Sequence, residues 1–250
     1  MWKLLCVALM VLVSQGTNAK VFWETEEVAE NYLQKVPPIK VTAEKMTRYL
    51  FGRTTSHVVK RSAPRPDDVL IVIDSSKSIP ESNFTRGLYA LQAMVERFKP
   101  DVRFAAILFS TEAEVMFKFL PAEKAMEKLL TIHYNGGFTN TQDALKKSGR
   151  LFVSRNSGGR RNAYKKMFIL TDGQSNIKKE RTLYLAYVLK ELGIEIYVMA
   201  VGERIEGINE LGMLATSTDK HLYRVGEMDQ FMQVVQEVPK DPYYEGNDGI

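Results

Sequence analysis

The sequence predicts an α/β protein: a doubly wound, mainly parallel sheet flanked by helices, with one antiparallel edge strand. Three observations predict it. Short apolar runs rich in β-branched residues recur from residue 69 onward, unbroken as in strands buried on both faces. Segments of helical period separate those runs. Polar, turn-forming clusters follow the ends of several runs, where open α/β sheets carry their sites.

Taken in order, residues 1–19, "MWKLLCVALMVLVSQGTNA", read as a signal peptide. Lys3 precedes an apolar run from Leu4 to Val13, and Thr17 and Ala19 suit cleavage before Lys20. The run is too short to anchor in a bilayer, and no later stretch is long and apolar enough to span one. The terminal "EGNDGI" carries no hydrophobic tail for a lipid anchor. The expected product is secreted and extracellular, with no membrane span.

Residues 20–66 read as an N-terminal extension and linker. "VFWETEEVAENYLQ" has a weak helical pattern, "VPPI" breaks it, and "TAEKMTRYLF" is a second short helix. "GRTTSHVVKRSAPRPDD" has linker composition and holds the dibasic pair Lys60-Arg61, open to trimming.

Residues 67–238 form the predicted domain. "VLIVI" (69–73) is a strand and "ESNFTRGLYALQAMVERF" (81–98) a helix with Phe84, Leu88, Leu91 and Phe98 on one side. "VRFAAILFS" (102–110) is a strand, and the alternating "EVMFKFL" (114–120) is an edge strand. Helices follow at 122–132 and 139–153, a strand at 165–171, and a helix at 177–193 ending on a glycine cap. A strand at 194–202, a short helix at 208–216, a strand at 221–225 and a helix at 227–238 complete it. Residues 239–250 are a C-terminal tail.

At 45% hydrophobic and 26% charged over 250 residues, the chain has ample material for a core. Its one cysteine, Cys6, lies in the signal, which excludes disulfides, cysteine zinc sites and a cysteine nucleophile from the mature chain. The net charge of +4 is unevenly placed. Residues 20–66 hold nine Lys or Arg against five Glu; with Lys3 in the signal, residues 67–250 carry a deficit of one. A domain without a basic surplus is not built for nucleic acid. The basic stretch "RNSGGRRNAYKK" (155–166) reads as a solvated loop, with an anion-facing surface as the alternative.

Three polar clusters sit just beyond strand ends or at helix mouths. "DSSKS" brings Asp74, Ser76 and Ser78, "GGFTNT" brings Thr139, and "TDG" brings Asp172. Each alone serves equally as a turn or a helix cap. Together they place two carboxylates and three hydroxyls on one edge of the sheet. Hard oxygen donors with two formal negative charges suit Mg²⁺ or Mn²⁺.

Those motifs, with "ILTDG" and "GIEIYVMAVG", make residues 67–238 resemble a von Willebrand factor type A (vWA) domain, a Rossmann-like fold. Asp74-x-Ser76-x-Ser78, Thr139 and Asp172 match all five positions of that family's metal-ion-dependent adhesion site (MIDAS). The resemblance implies hydroxyl ligation by Ser76, Ser78 and Thr139. It implies that Asp74 and Asp172 bind the ion directly or through water. It also implies an open position that a carboxylate from an extracellular protein ligand fills, matrix or collagen-like. Lys77 departs from the small or neutral residue frequent between the serines, and modest electrostatic weakening is the expected consequence.

The expected function is a secreted, non-enzymatic, metal-dependent adhesion module. One alternative is a structural component of an extracellular matrix that acts by self-association, as a homo-oligomer. Another is a Mg²⁺-dependent phosphoryl-transfer enzyme built on Asp74, which lacks an evident nucleophile and acid/base partner. His57, His133 and His221 show no metalloprotease spacing. Asn83-Phe-Thr85 is a glycosylation candidate.

Overall fold

The segment Asp67–Asp74 forms β1, with every residue from Asp68 onward buried. Its Val and Ile side chains suit a pleated surface covered on both sides. With β2 (Arg103–Phe109), β3 (Ala113–Pro121), β4 (Tyr164–Thr171), β5 (Ile194–Val201) and β6 (Leu222–Val225) it makes a six-stranded sheet in the order β3-β2-β1-β4-β5-β6. All neighbouring pairs are parallel except β2 with β3, so the alternating segment takes the antiparallel edge. The sheet is the mainly parallel, doubly wound one the sequence predicts.

This computed structural model describes residues 26–53 and 65–241. The signal with Cys6, His57, the Lys60-Arg61 pair and the tail from 242 lie outside them. The chain divides into two units, residues 1–33 and 34–250. A helix, α1 (Glu26–Gln34), ends at the start of the second unit, and the remaining elements belong to that unit.

Helices α2 (Ile39–Tyr49), α3 (Glu81–Val95), α4 (Ala122–Leu129), α5 (Thr141–Val153), α6 (Thr182–Glu191), α7 (Ile208–Leu214), α8 (Thr218–His221) and α9 (Met228–Glu237) surround the sheet. Alternate residues of a strand point to opposite faces. Val69, Ile71 and Ile73 join Phe84, Leu91, Leu129, Phe231 and Val235 in one apolar cluster. Leu70 and Val72 project from the other face, where α5, α6 and α7 pack on β2, β3 and β5. Gly87 lets α3 and α9 approach: a Cβ there stands 3.2 Å from Met228 Sδ.

Residues 39–51, read from composition as part of an appendage, contribute to this core. Ala43, Met46, Leu50 and Phe51 are buried in the same cluster, and the Phe51 ring lies 4.5 Å from that of Phe98. Full burial of each large side chain is worth about 1.5–3 kcal/mol. Polar contacts fix the segment further. Lys45 Nζ donates to Leu222 O at 2.7 Å, Tyr197 OH to Tyr49 O at 2.9 Å and Lys166 Nζ to Leu50 O at 2.8 Å. Arg53 donates to the carbonyls of Arg97, Pro239 and Lys240.

Several boundaries differ from the periodicity, and two of them have a visible local cause. The helix expected over 177–193 starts only at Thr182, after a 3₁₀ turn, because Lys178 adopts a left-handed backbone with φ +48°. The strand expected from His221 starts at Leu222, since His221 closes the short helix α8.

Candidate metal centre

The winding reverses at β1, with β2 and β3 on one side of it and β4, β5 and β6 on the other. That switch point sets the carboxyl ends of β1 and β4 side by side, where a ligand crevice forms. Ile73 pairs with Leu170, so Asp74 and Thr171 follow as neighbours across the two strands. The loop after β1 carries Ser76 and Ser78, and the residue after β4 is Asp172.

The four residues form one hydrogen-bonded chain. Ser76 N–H donates to Asp74 Oδ1 at 2.8 Å. Ser76 Oγ and Ser78 Oγ are 3.0 Å apart, and Ser78 Oγ donates to Asp172 Oδ1 at 3.0 Å. Asp74 is 1% exposed. Burial, and secondarily the Asp172 charge, push its carboxyl up to about 7 against the bonds from Thr171 and Ser76. Burial likewise raises Asp172, opposed by its bond from Ser78.

Thr139 reaches the same edge from the loop before α5. It is buried, and its backbone is held on both sides. Its N–H donates to Asn176 Oδ1 at 2.8 Å, and its carbonyl accepts from Asn176 N–H at 2.9 Å and Ser175 Oγ at 3.2 Å. Lys77 N–H donates to Gly137 O at 2.9 Å, which ties the "DSSKS" loop to the "GGFTNT" loop. Gly137 has φ +101°, and a Cβ there stands 2.6 Å from Thr111 Oγ1, so only glycine fits without movement. Among the described residues the Thr139 hydroxyl makes no hydrogen bond to the other four. Asn140, not Thr139, caps α5, accepting from Asp143 N–H.

The donor set therefore consists of two desolvated carboxylates and hydroxyls, all oxygen. Among the described residues no group of three or more His, Cys, Asp or Glu can hold a metal ion. A buried carboxylate beside a half-buried one gains most from a cation, and hydroxyl-rich oxygen sets fit hard divalent ions. Lys77 Nζ lies 5.3 Å over the Phe138 ring, a contact that engages the ammonium at the rim.

Several residues escaped the sequence reading. Thr171 Oγ1 donates to Asp74 Oδ2 at 2.6 Å. Tyr134 OH donates to Ser76 O at 3.2 Å. Glu210 Oε1 accepts Ser175 N–H at 2.9 Å, and burial raises the Glu210 carboxyl. The only sequence signal for Thr171 and Ser175 is their place in "TDGQSN"; Tyr134 and Glu210 are remote and carry none. His133 and His221 stand apart: His133 is exposed, and His221 Nδ1 lies 3.0 Å from Ser217 Oγ. Asn83 sits in the first turn of α3, half-buried, with Arg86 Nη1 3.5 Å from its Oδ1.

A model of the von Willebrand factor type A domain matches residues 68–237. Human integrin alpha-X is 25% identical over 186 residues, covering 71% of this chain and 16% of the integrin. The mouse collagen alpha-6(VI) chain is 33% identical over 165 residues, covering 62% of this chain and 7% of the collagen. The chain thus spans a small fraction of either relative. Among solved structures, proximal thread matrix protein 1 from the mussel byssus matches with TM-score 0.63 at 21% identity, covering 71% of this chain and 48% of that one. A structure of that byssus protein with a zinc-occupied MIDAS motif matches with TM-score 0.60 at 22% identity, covering 70% and 45%. The likeness to the byssus protein is one of fold. The family model covers well over half of the sequence, and the chain belongs to the von Willebrand factor type A domain family.

Proposed function

We propose that this chain is a secreted, extracellular protein-binding module of the adhesion or matrix type, with residues 67–238 as its binding domain. Asp74, Ser76, Ser78, Thr139 and Asp172 hold Mg²⁺ or Mn²⁺, and a carboxylate on a protein ligand completes the coordination. The observation that carries the reading is the bonded chain from Asp74 through Ser76 and Ser78 to Asp172, with both carboxyls raised by burial. Relatives named as an integrin and a collagen chain, and a byssus neighbour solved with metal in the corresponding motif, support it.

A bound divalent ion supplies the positive charge that offsets the two carboxylates and an electrophilic position for an added anion. The chain's own residues hold the acceptors in place, with Asp74, Ser76 and Thr139 buried and Ser78 and Asp172 open to the solvent side. Two neutral serines and a threonine add no charge, so an incoming carboxylate meets a centre that is not overcompensated.

The test is binding to matrix proteins, collagens first, with Mg²⁺, with Mn²⁺ and with chelator, beside Asp74→Ala. Loss of binding in chelator and in the variant is expected; unchanged binding in both sinks the metal bridge.

One observation favours self-association as a second reading. α6 is apolar around most of its circumference and presents Tyr184 and Tyr187, 67% and 60% exposed, one turn apart. A solution mass above the monomer that persists in chelator and falls with Tyr184→Ser/Tyr187→Ser supports that reading.

A further inference from the structure

At the amino edge of the sheet, six residues down β1 from Asp74 and so about 20 Å away, lies Asp68. A cleft of about 390 Å³ opens there, between the end of α5 and the start of β4. Four cations line it, Arg155, Arg160, Arg161 and Lys165, against the single carboxylate of Asp68.

That carboxylate is fully committed. Asp68 is 2% exposed. Its Oδ1 accepts from Arg160 Nε at 2.9 Å and Nη2 at 2.7 Å, and its Oδ2 from the Arg160 N–H at 2.5 Å. The other Arg160 donors reach Asp101 O at 2.8 Å and Asp67 O at 2.6 Å. Arg160 is therefore a fixed wall of the cleft. Arg155, Arg161 and Lys165 enter no ion pair and no side-chain hydrogen bond among the described residues.

The end of a helix attracts cations, and Arg155, two residues past α5, answers to that. Arg161 and Lys165 lie on no helix, so the dipole does not explain them. Three like charges around one concavity repel each other, and a ligand with several anionic oxygens removes that cost and adds charge-assisted hydrogen bonds.

The shape narrows the ligand. The volume falls in the range of small-molecule sites, roughly 300–1,000 Å³, and exceeds the need of a lone ion. Val153, 63% exposed, gives the cleft an apolar wall beside its cations. A sugar ring bearing sulfate esters offers both an apolar face and tetrahedral anions. A long nucleic acid meets a domain with no positive surplus beyond this cleft, since residues 67–250 sum to minus one.

We propose that this cleft binds a sulfated oligosaccharide segment of an acidic polysaccharide, through Arg155, Arg161 and Lys165 and without metal. The probes are immobilised heparin and a heparin-derived octasaccharide, both in chelator, so that failure of the metal centre does not affect the result. The wild-type chain is expected to be retained. Arg155→Ser/Arg161→Ser/Lys165→Ser is expected to bind the octasaccharide about tenfold more weakly, with a salt slope lower by about 2. Arg161→Glu gives the same loss should the triple variant misfold, which its thermal midpoint reports. Lys124→Gln/Lys128→Gln/Lys220→Gln, at exposed positions elsewhere, removes equal charge and is expected to bind as wild type. Equal weakening in both triple variants overturns the site. So does equal binding of unsulfated heparosan, or displacement by inorganic sulfate or phosphate at matching concentration. Binding of single-stranded DNA or phosphatidylserine vesicles as tightly as heparin, lost in the same variant, overturns the saccharide assignment.

Discussion

Thr171 Oγ1 donates to Asp74 Oδ2 across a distance of 2.6 Å, which ties the last residue of β4 to the last residue of β1. The bond closes the inner side of the candidate metal centre, where Asp74 has no water to turn to. Thr171→Val keeps the shape and removes the donor, leaving a buried acceptor oxygen unpaired. It is expected to cost about 1–3 kcal/mol in urea unfolding of the metal-free protein. Mg²⁺ affinity by calorimetry falls on the order of tenfold, as for other outer partners of metal ligands. Thr171→Ser restores both.

Asp74→Asn acts in the opposite direction on stability. The folded carboxyl holds its proton up to about pH 7, whereas an ordinary aspartate loses it near 3.8. Ionised Asp74 therefore strains the metal-free fold at neutral pH. The amide variant is expected to be more stable than wild type in chelator, by on the order of 1–3 kcal/mol. Mg²⁺ raises the wild-type melting temperature and leaves that of the variant unchanged.

Gly137→Ala tests the loop that carries Thr139. A methyl group at φ +101° meets Thr111 Oγ1 at 2.6 Å, so the loop must shift. The backbone strain is about 1–2 kcal/mol. The Mg²⁺ dissociation constant is expected to rise more than the loss of stability predicts, because Thr139 lies two residues away.

His221 gives the fold a pH dependence remote from the metal centre. Burial pulls its imidazole below the usual 6.5, against the Glu195 and Asp219 charges and with the help of Lys220 and Lys45. A base depressed in the fold is neutral in both states above pH 6.5. Below that value the unfolded chain takes the proton first, so stability is lost as pH falls from 6.5 towards the folded-state value. Urea midpoints between pH 7.5 and 5 are expected to decline more steeply in wild type than in His221→Gln.

Met46 probes whether α2 belongs to the core. The side chain is completely buried. Met46→Ala is expected to cost about 2–5 kcal/mol, the range of a core truncation. A solvated appendage would lose nothing.

Much of this was legible in the residues themselves. "VLIVI" and "MFIL" announce buried parallel strands because both faces demand apolar side chains. The alternation in "EVMFKFL" announces an edge because only one face does. Asp74, Ser76, Ser78 and Asp172 are legible because each follows a strand end, and the topology then places those ends together. What escaped depends on partners distant in sequence. Met46 and Leu50 look like one stripe of a short amphipathic helix, and nothing local says that α9 and β6 wait for it. Thr171 reads as the end of a strand until β1 supplies the carboxylate. Lys178 gives no warning of a left-handed backbone, since the helical period runs through it without a break.

The Arg53 contacts have a mechanical consequence. One guanidinium holds the carbonyls of Pro239 and Lys240 and pairs with Asp241 at 3.7 Å, so the strand of chain leaving α2 is clipped to the strand leaving α9. Tension applied between a point upstream of α2 and a point beyond Asp241 meets α2, α9 and this clip before it reaches β1. Such contacts yield one after another, as a seam peels, and the load enters the sheet first at its β6 edge, where Lys45 holds Leu222 O. Asp74, on β1, stands three strands in from that edge.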